Sequence, residues 1–156
     1  MINYRLVRSD DGAAVAAVFG AARAEMTYLP SLHTPTEDVA FFSDIVGSGC
    51  WVMVAESGAG LGLGADGGLV GFCVVRAGWV EHLYVRPGYQ GQGIGRALLS
   101  AAMAENEGEL LLWVFEENLG ARRFYERVGF YEVERTDGSD NEEHVPDIRM
   151  RRDPLP

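Results

Sequence analysis

The chain has 156 residues, 47% of them hydrophobic, and a formal net charge of −10, with a pI of about 4.7 and a mean hydropathy of −0.02. That length suits one domain with a sizeable buried core. The acidity argues against general nucleic-acid affinity, which needs a basic footprint, and no run of about eighteen apolar residues exists to span a membrane.

The N-terminus, Met1-Ile2-Asn3-Tyr4-Arg5, has no basic segment leading into a long apolar one. No secretory leader is expected there, and a cytoplasmic protein is. The two cysteines, Cys50 and Cys73, sit in apolar, strand-like surroundings and read as buried free thiols of a reducing compartment. Net negative charge steers cationic acceptors such as amines, and equally keeps a protein soluble.

Ile2 to Val7 reads as a first strand. Ser9-Asp10-Asp11 supplies a cap and early acids for a helix over Gly12 to Glu25. Met26 to Thr34 is irregular. Thr34-Pro35-Thr36-Glu37 is a helix start, with Thr34 as cap, Pro35 at the first helical position and Glu37 reaching back. That helix runs to Val46 and stops at Gly47-Ser48-Gly49. Trp51 to Glu56 and Leu69 to Arg76 are strands around a glycine-rich loop, Ser57 to Gly68. Trp79 to Val85 is the next strand, followed by a glycine-rich turn and a helix over Gly93 to Glu105. The unbroken apolar run Leu110 to Phe115 suits a strand buried on both faces. Asn118 can cap a helix that ends with Gly129 at C′. Phe130 to Arg135 and His144 to Arg151 close the sheet around a polar loop, Thr136 to Asn141. The order is βααβββαβαββ. This predicts a single α/β domain over 1–152, with one central mixed sheet flanked by helices and a loose tail over 153–156.

The turn after the third hairpin strand carries the strongest chemical signal. In Gln90-Gly91-Gln92-Gly93-Ile94-Gly95-Arg96 the glycines leave little side-chain bulk. Backbone N–H groups can converge there at the positive end of a helix dipole, an arrangement that binds phosphate without a lysine. The spacing is neither Gly-x-Gly-x-x-Gly nor Gly-x-x-x-x-Gly-Lys-Ser/Thr, and all 13 basic residues are arginine.

The remaining pattern, Gln90-x-x-Gly93-x-Gly95, resembles the (Gln or Arg)-x-x-Gly-x-(Gly or Ala) signature of the GNAT superfamily of acetyl-CoA-dependent N-acetyltransferases. Beyond the next strand, Asn118-Leu119-Gly120-Ala121-Arg122-Arg123-Phe124-Tyr125-Glu126-Arg127-Val128-Gly129-Phe130 is similar to that family's Asn-x-x-Ala-x-x-Phe-Tyr-Glu-x-x-Gly-Phe. Both occur in the family's order, and the element order matches its topology. The resemblance implies acetyl-CoA as cosubstrate and an amine as acceptor. It implies strands parted around the pantetheine arm, with Leu83, Tyr84 and Val85 beside that arm. The pyrophosphate would lie on Gln90, Gly91, Gln92, Gly93, Ile94, Gly95 and Arg96, with Asn118 and Arg122 as further contacts. It also implies that Met26 to Glu37 and Thr136 to Val145 wall the acceptor site. Dimers are common among relatives, with the C-terminal strands as a plausible contact.

By the same resemblance Tyr125 is the general acid. A thiol of pKa about 8.5 leaves beside a phenol of pKa about 10, which is protonated at neutral pH. An amine of pKa about 10.4 costs roughly 4 to 5 kcal/mol to neutralise at pH 7. Glu81, an acid in an apolar strand, is the candidate base; His82 points to the other face by alternation. His33, His82 and His144 are far apart and no Cys-x-x-Cys exists, so no metal is expected. Neither cysteine has a nucleophile's surroundings, which favours direct transfer in a ternary complex. Two alternatives use the same loop: a coenzyme-A-binding sensor without turnover, and a nucleotide-binding protein.

Overall fold

The computed structural model describes residues 1–58 and 68–154. The elements are β1 (Ile2–Leu6), α1 (Gly12–Ala24), α2 (Pro35–Gly47), β2 (Trp51–Ser57), β3 (Leu69–Arg76), β4 (Trp79–Val85), α3 (Ile94–Glu105), β5 (Leu110–Phe115), α4 (Leu119–Arg127), β6 (Tyr131–Thr136) and β7 (Asp147–Arg152). Most of the loop expected over Ser57 to Gly68 lies outside the described residues, as does the end of the tail.

The strands form one seven-stranded sheet in the order β1-β2-β3-β4-β5-β7-β6. All neighbours are antiparallel except β4 and β5, which run parallel. Two apolar layers hold it. Val15 and Val18 of α1 and Phe42 and Ile45 of α2 pack on Val52, Val54, Phe72 and Val74 of one face. Ile94, Leu98, Leu99 and Ala102 of α3 and Tyr125 of α4 pack on Val70, Cys73, Leu112, Val114, Ile148 and Met150 of the other. Among the described residues no helix is long and apolar enough to cross a membrane.

Local chemistry sets most element ends. Thr34 accepts from the Glu37 N–H at 3.1 Å while the Glu37 carboxylate accepts from the Thr34 N–H at 2.9 Å, with Pro35 opening the helix. Asn118 caps α4 through the Ala121 N–H at 3.2 Å, and Gly129 follows the C-cap at φ 101°.

Four expectations are corrected. Asp11 precedes α1 but makes no side-chain cap bond, and α1 has no acid in its first turn. Its carboxylate accepts instead from the Arg8 N–H at 2.6 Å and the Arg5 guanidinium at 2.8 Å. Burial pushes the Asp11 carboxyl up, but these partners outweigh it and hold it below the usual carboxylate range. β5 is buried on one face only. Leu110, Leu112 and Val114 enter the core, whereas on the other face Leu111 and Phe115 are half-buried and Trp113 is 44% exposed, since α1 packs mainly on β3 and β4. Cys50 is half-buried rather than buried; Cys73 is buried, and both are free thiols. β7 begins at Asp147, since Asn141 bonds Val145 through both amide atoms and His144 takes φ 54°, closing a turn where strand was expected.

Candidate active site

β4 and β5 are held together at one end. The pair Trp79↔Leu111 is the register they share, with the Leu111 N–H donating to Gly78 at 2.9 Å. Beyond it the strands part, and a cleft of about 860 Å³ opens between them. Leu83, Tyr84 and Val85 line it from β4, and Asn118, Ala121, Phe124, Tyr125 and Val128 from the α4 side.

The cleft ends at the glycine-rich turn. Gly88, Gly91 and Gly93 take φ of 91°, 76° and 84°, conformations that disfavour any side chain with a Cβ. Gly93 is the N-cap of α3 and offers no capping side chain. Among the described residues Ala97 carries the first N–H of α3 with an intrachain acceptor, Gly93 at 3.0 Å. The N–H groups ahead of it remain available, and Gly91, Gly93, Ile94, Gly95 and Arg96 all line the cleft. Such a helix start attracts anions. A Cβ built on Gly91 or Gly93 meets nothing within 4 Å, so the space over the turn is open. A diphosphate therefore fits the turn on the chain's own geometry. Gln90 braces the turn, its amide donating to the Val85 carbonyl at 2.9 Å.

Tyr125 is buried. Its ring packs against Phe124 at 5.3 Å and edge-on to Phe130 at 5.5 Å between centroids. Burial raises its phenol well above the ordinary value, so the group stays protonated across the working range.

Three expected residues lie elsewhere. The Gln92 amide folds onto the Gly88 carbonyl at 3.3 Å, and Gln92 does not line the cleft. Nor does Arg122, whose guanidinium donates to the Glu116 carbonyl at 2.8 Å. Glu81 is exposed, pairs with Arg76 at 3.8 Å and lines neither this cleft nor the second cavity described below. A bulge explains its position. The register passes from Val75↔Val80 to Val74↔His82, which leaves Glu81 as the extra residue.

The same bulge directs His82 into the α1–α2 layer. Its ring lies among Phe42 (5.1 Å), Phe41 (5.8 Å), Phe19 and Tyr84 (6.2 Å each), and its Nδ1 is buried without a partner. Burial, with help from the Arg23 and Arg76 charges, pushes its pKa down to about 4. The unfolded chain, near 6.5, takes up a proton that the folded chain refuses. Stability is therefore full above pH 6.5 and is lost as pH falls toward 4, by roughly 3 kcal/mol in all. His82→Phe is expected to remove most of that loss between pH 6.5 and 4.5 in denaturant titrations. An unchanged acid limb would contradict the assignment.

His82 belongs to a second cavity, of about 690 Å³, walled by Phe19 and Arg23 of α1, Met26, Thr27 and the segment from Leu29 to His33, Glu37, Asp38 and Phe41 of α2, and Glu142 and Glu143. The two segments expected to wall an acceptor site thus meet here. His33 pairs with Glu142 across them and lies 3.9 Å from Glu37. Arg23 pairs with Glu143 at 3.4 Å and sits over the Phe19 and Phe115 rings. Met26 lines both spaces. Sequence reasoning missed Phe19, Phe41, Tyr89 and Phe124 as lining residues. Only Phe124 carried a signal, since Ala121, Phe124, Tyr125 and Val128 share one helix face.

Parted strands, an amide turn at a helix start and a buried tyrosine thus meet around one cleft. Residues 46–132 match the family model described as the acetyltransferase (GNAT) domain, and the chain belongs to that family. It is 37% identical over 86 residues to the streptothricin acetyltransferase of Streptomyces lavendulae, covering 49% of this chain and 46% of that one. It is 36% identical over 98 residues to the aminoglycoside N(6')-acetyltransferase type 1 of Stenotrophomonas maltophilia, covering 52% and 64%. The chain thus spans less than two thirds of the length of these curated relatives. Among solved structures, yncA of Salmonella typhimurium, a putative acetyltransferase with its cofactor acetyl-CoA, superposes with a TM-score of 0.72 at 19% identity, covering 98% of this chain and 94% of that one.

Proposed function

We propose that the protein transfers an acetyl group from acetyl-CoA to a primary amine by direct attack in a ternary complex. The observation that carries this reading is the set of uncommitted amides at the start of α3, opening onto the gap between β4 and β5. Acetyl-CoA supplies the acyl group as a thioester. The N–H groups from Gly91 to Arg96 hold the diphosphate, and the backbone from Leu83 to Val85, which no β5 residue pairs, lies along the arm. Asn118 lines the same cleft while capping α4.

The acceptor enters through the second cavity. Its nitrogen forms a bond to the acyl carbon as the carbon–sulfur bond breaks, and Tyr125 donates its proton to the departing sulfur. The amine loses a proton to solvent, and solvent returns one to Tyr125, so the phenol is restored for the next turnover. Glu81, exposed and paired with Arg76, is given no part in this step. A covalent acyl-enzyme is not invoked, because neither Cys50 nor Cys73 lines the cleft or the second cavity, and burial pushes the Cys73 thiol up to about 12.

Thiol release from acetyl-CoA over a panel of amines tests the reading. Amine-dependent release, matched by acetylated product, is expected. Coenzyme A uptake without release on any amine would instead mark a binding module.

A further inference from the structure

A buried polar side-chain atom without a hydrogen-bond partner needs a reason. Among the described residues such atoms are the Nε of Arg5, Arg149 and Arg151, His82 Nδ1 and the Tyr28 hydroxyl. The three arginines pair with carboxylates, Arg5 with Asp11, Arg149 with Glu134 and Arg151 with Glu109. His82 is enclosed by the aromatic rings around it. That leaves Tyr28, whose hydroxyl carries a hydrogen and has no acceptor for it in the chain.

Its position indicates what accepts it. Tyr28 lies between α1 and α2 and lines the coenzyme cleft, whereas Thr27 and Leu29 on either side of it line the second cavity. The ring packs edge-on to Phe115 at 6.1 Å between centroids, on the stretch of β5 that has parted from β4. Alternation puts Phe115 on the face opposite Leu112 and Val114, which share a layer with Tyr125. Tyr28 and Tyr125 therefore reach the cleft from opposite faces of the sheet. Arg23, a wall of the second cavity, lies over the same Phe115 ring at 5.7 Å. Tyr28 thus stands where the cleft and the second cavity meet.

A thioester carries two heteroatoms on its reacting carbon. Tyr125 serves the sulfur. The oxygen gathers negative charge as the amine adds, and a donor fixed beside it stabilises that charge more than the ground state. Burial, with the Glu117 charge adding to it and Arg23 opposing, holds the Tyr28 phenol above the ordinary tyrosine value, so the hydroxyl keeps its hydrogen.

We infer that Tyr28 is a second catalytic residue, whose hydroxyl donates a hydrogen bond to the acyl oxygen of acetyl-CoA from the face opposite Tyr125. As the nitrogen–carbon bond forms, the carbonyl π pair moves onto oxygen. It returns as the carbon–sulfur bond breaks, and Tyr28 keeps its proton throughout. The inference rests on the acetyl-transfer reading for the charge that Tyr28 stabilises, while the hydrogen bond can be read with no amine present.

Tyr28→Phe tests it with three readouts. Infrared difference spectra of bound acetyl-CoA, isotopically labelled at the acyl carbon, are expected to show the carbonyl band at higher wavenumber in the variant than in the parent. With an amine that the parent acetylates, kcat is expected to fall about tenfold to a hundredfold, with KM for the amine within about twofold. Without ligand, the denaturant midpoint is expected to be unchanged or raised, because the variant loses a buried hydroxyl that had no partner. The same carbonyl band in both proteins, a change confined to KM, or a lowered midpoint overturns the inference and leaves the acetyl-transfer reading intact. A band that moves in the variant, with no thiol release by the parent on any amine, supports the hydrogen bond and overturns that reading.

Discussion

Tyr125→Phe is expected to lower kcat for acetyl transfer by about a hundredfold or more, the range set by loss of a positioned proton donor. The ring keeps its contacts with Phe124 and Phe130, so the fold and the affinity for coenzyme A are expected to stay within about threefold of the parent. Burial holds the Tyr125 phenol protonated well past the ordinary tyrosine value. The parent's rate should therefore show no loss of this acid between pH 7 and 9, and any rise there belongs to deprotonation of the acceptor amine. The variant should keep that rise at a lower plateau. A kcat unchanged in Tyr125→Phe would remove the general-acid assignment.

Gly93→Val is expected to weaken coenzyme A binding by tenfold to hundredfold. Gly93 holds φ 84° at the N-cap of α3. The left-handed region costs an ordinary L-residue about 1–2 kcal/mol, and a β-branched one more. Nothing lies within 4 Å of the added Cβ, so the folded chain without ligand suffers no clash. Relief of the backbone strain would turn the amides around position 93 away from the cleft and disturb the Gly93–Ala97 bond. Asparagine tolerates this conformation, so Gly93→Asn should lose less affinity than Gly93→Val. Equal losses would assign the effect to bulk over the turn rather than to the direction of its N–H groups.

The parts of this fold legible in sequence are those set by near neighbours. The Thr34-Pro35-Thr36-Glu37 start, the Asn118 cap, the Gly129 stop and the bounds of β3, β4 and β5 all depend on residues a few positions apart. The family's paired motifs extended that reach to the cleft beside β4. What sequence did not show depends on distant partners. Asp11 is claimed by Arg5 of β1 rather than by its own helix. The bulge at Glu81 is a property of the β3–β4 register, although alternation already set His82 on the face opposite Leu83. The bare side of Trp113 reflects where α1 stops covering the sheet. The aromatic lining of the second cavity joins Phe19, Phe41 and His82 from three elements with no shared spacing.

The central claim is that main-chain amides before Ala97 grip the diphosphate of the coenzyme. Calorimetry of the folded protein with coenzyme A and, separately, with pantetheine, which lacks the diphosphate, measures this directly. Saturable uptake of coenzyme A, with pantetheine about a hundredfold weaker or more, is the predicted result. Equal affinity for the two compounds, or no uptake of coenzyme A at all, would contradict it.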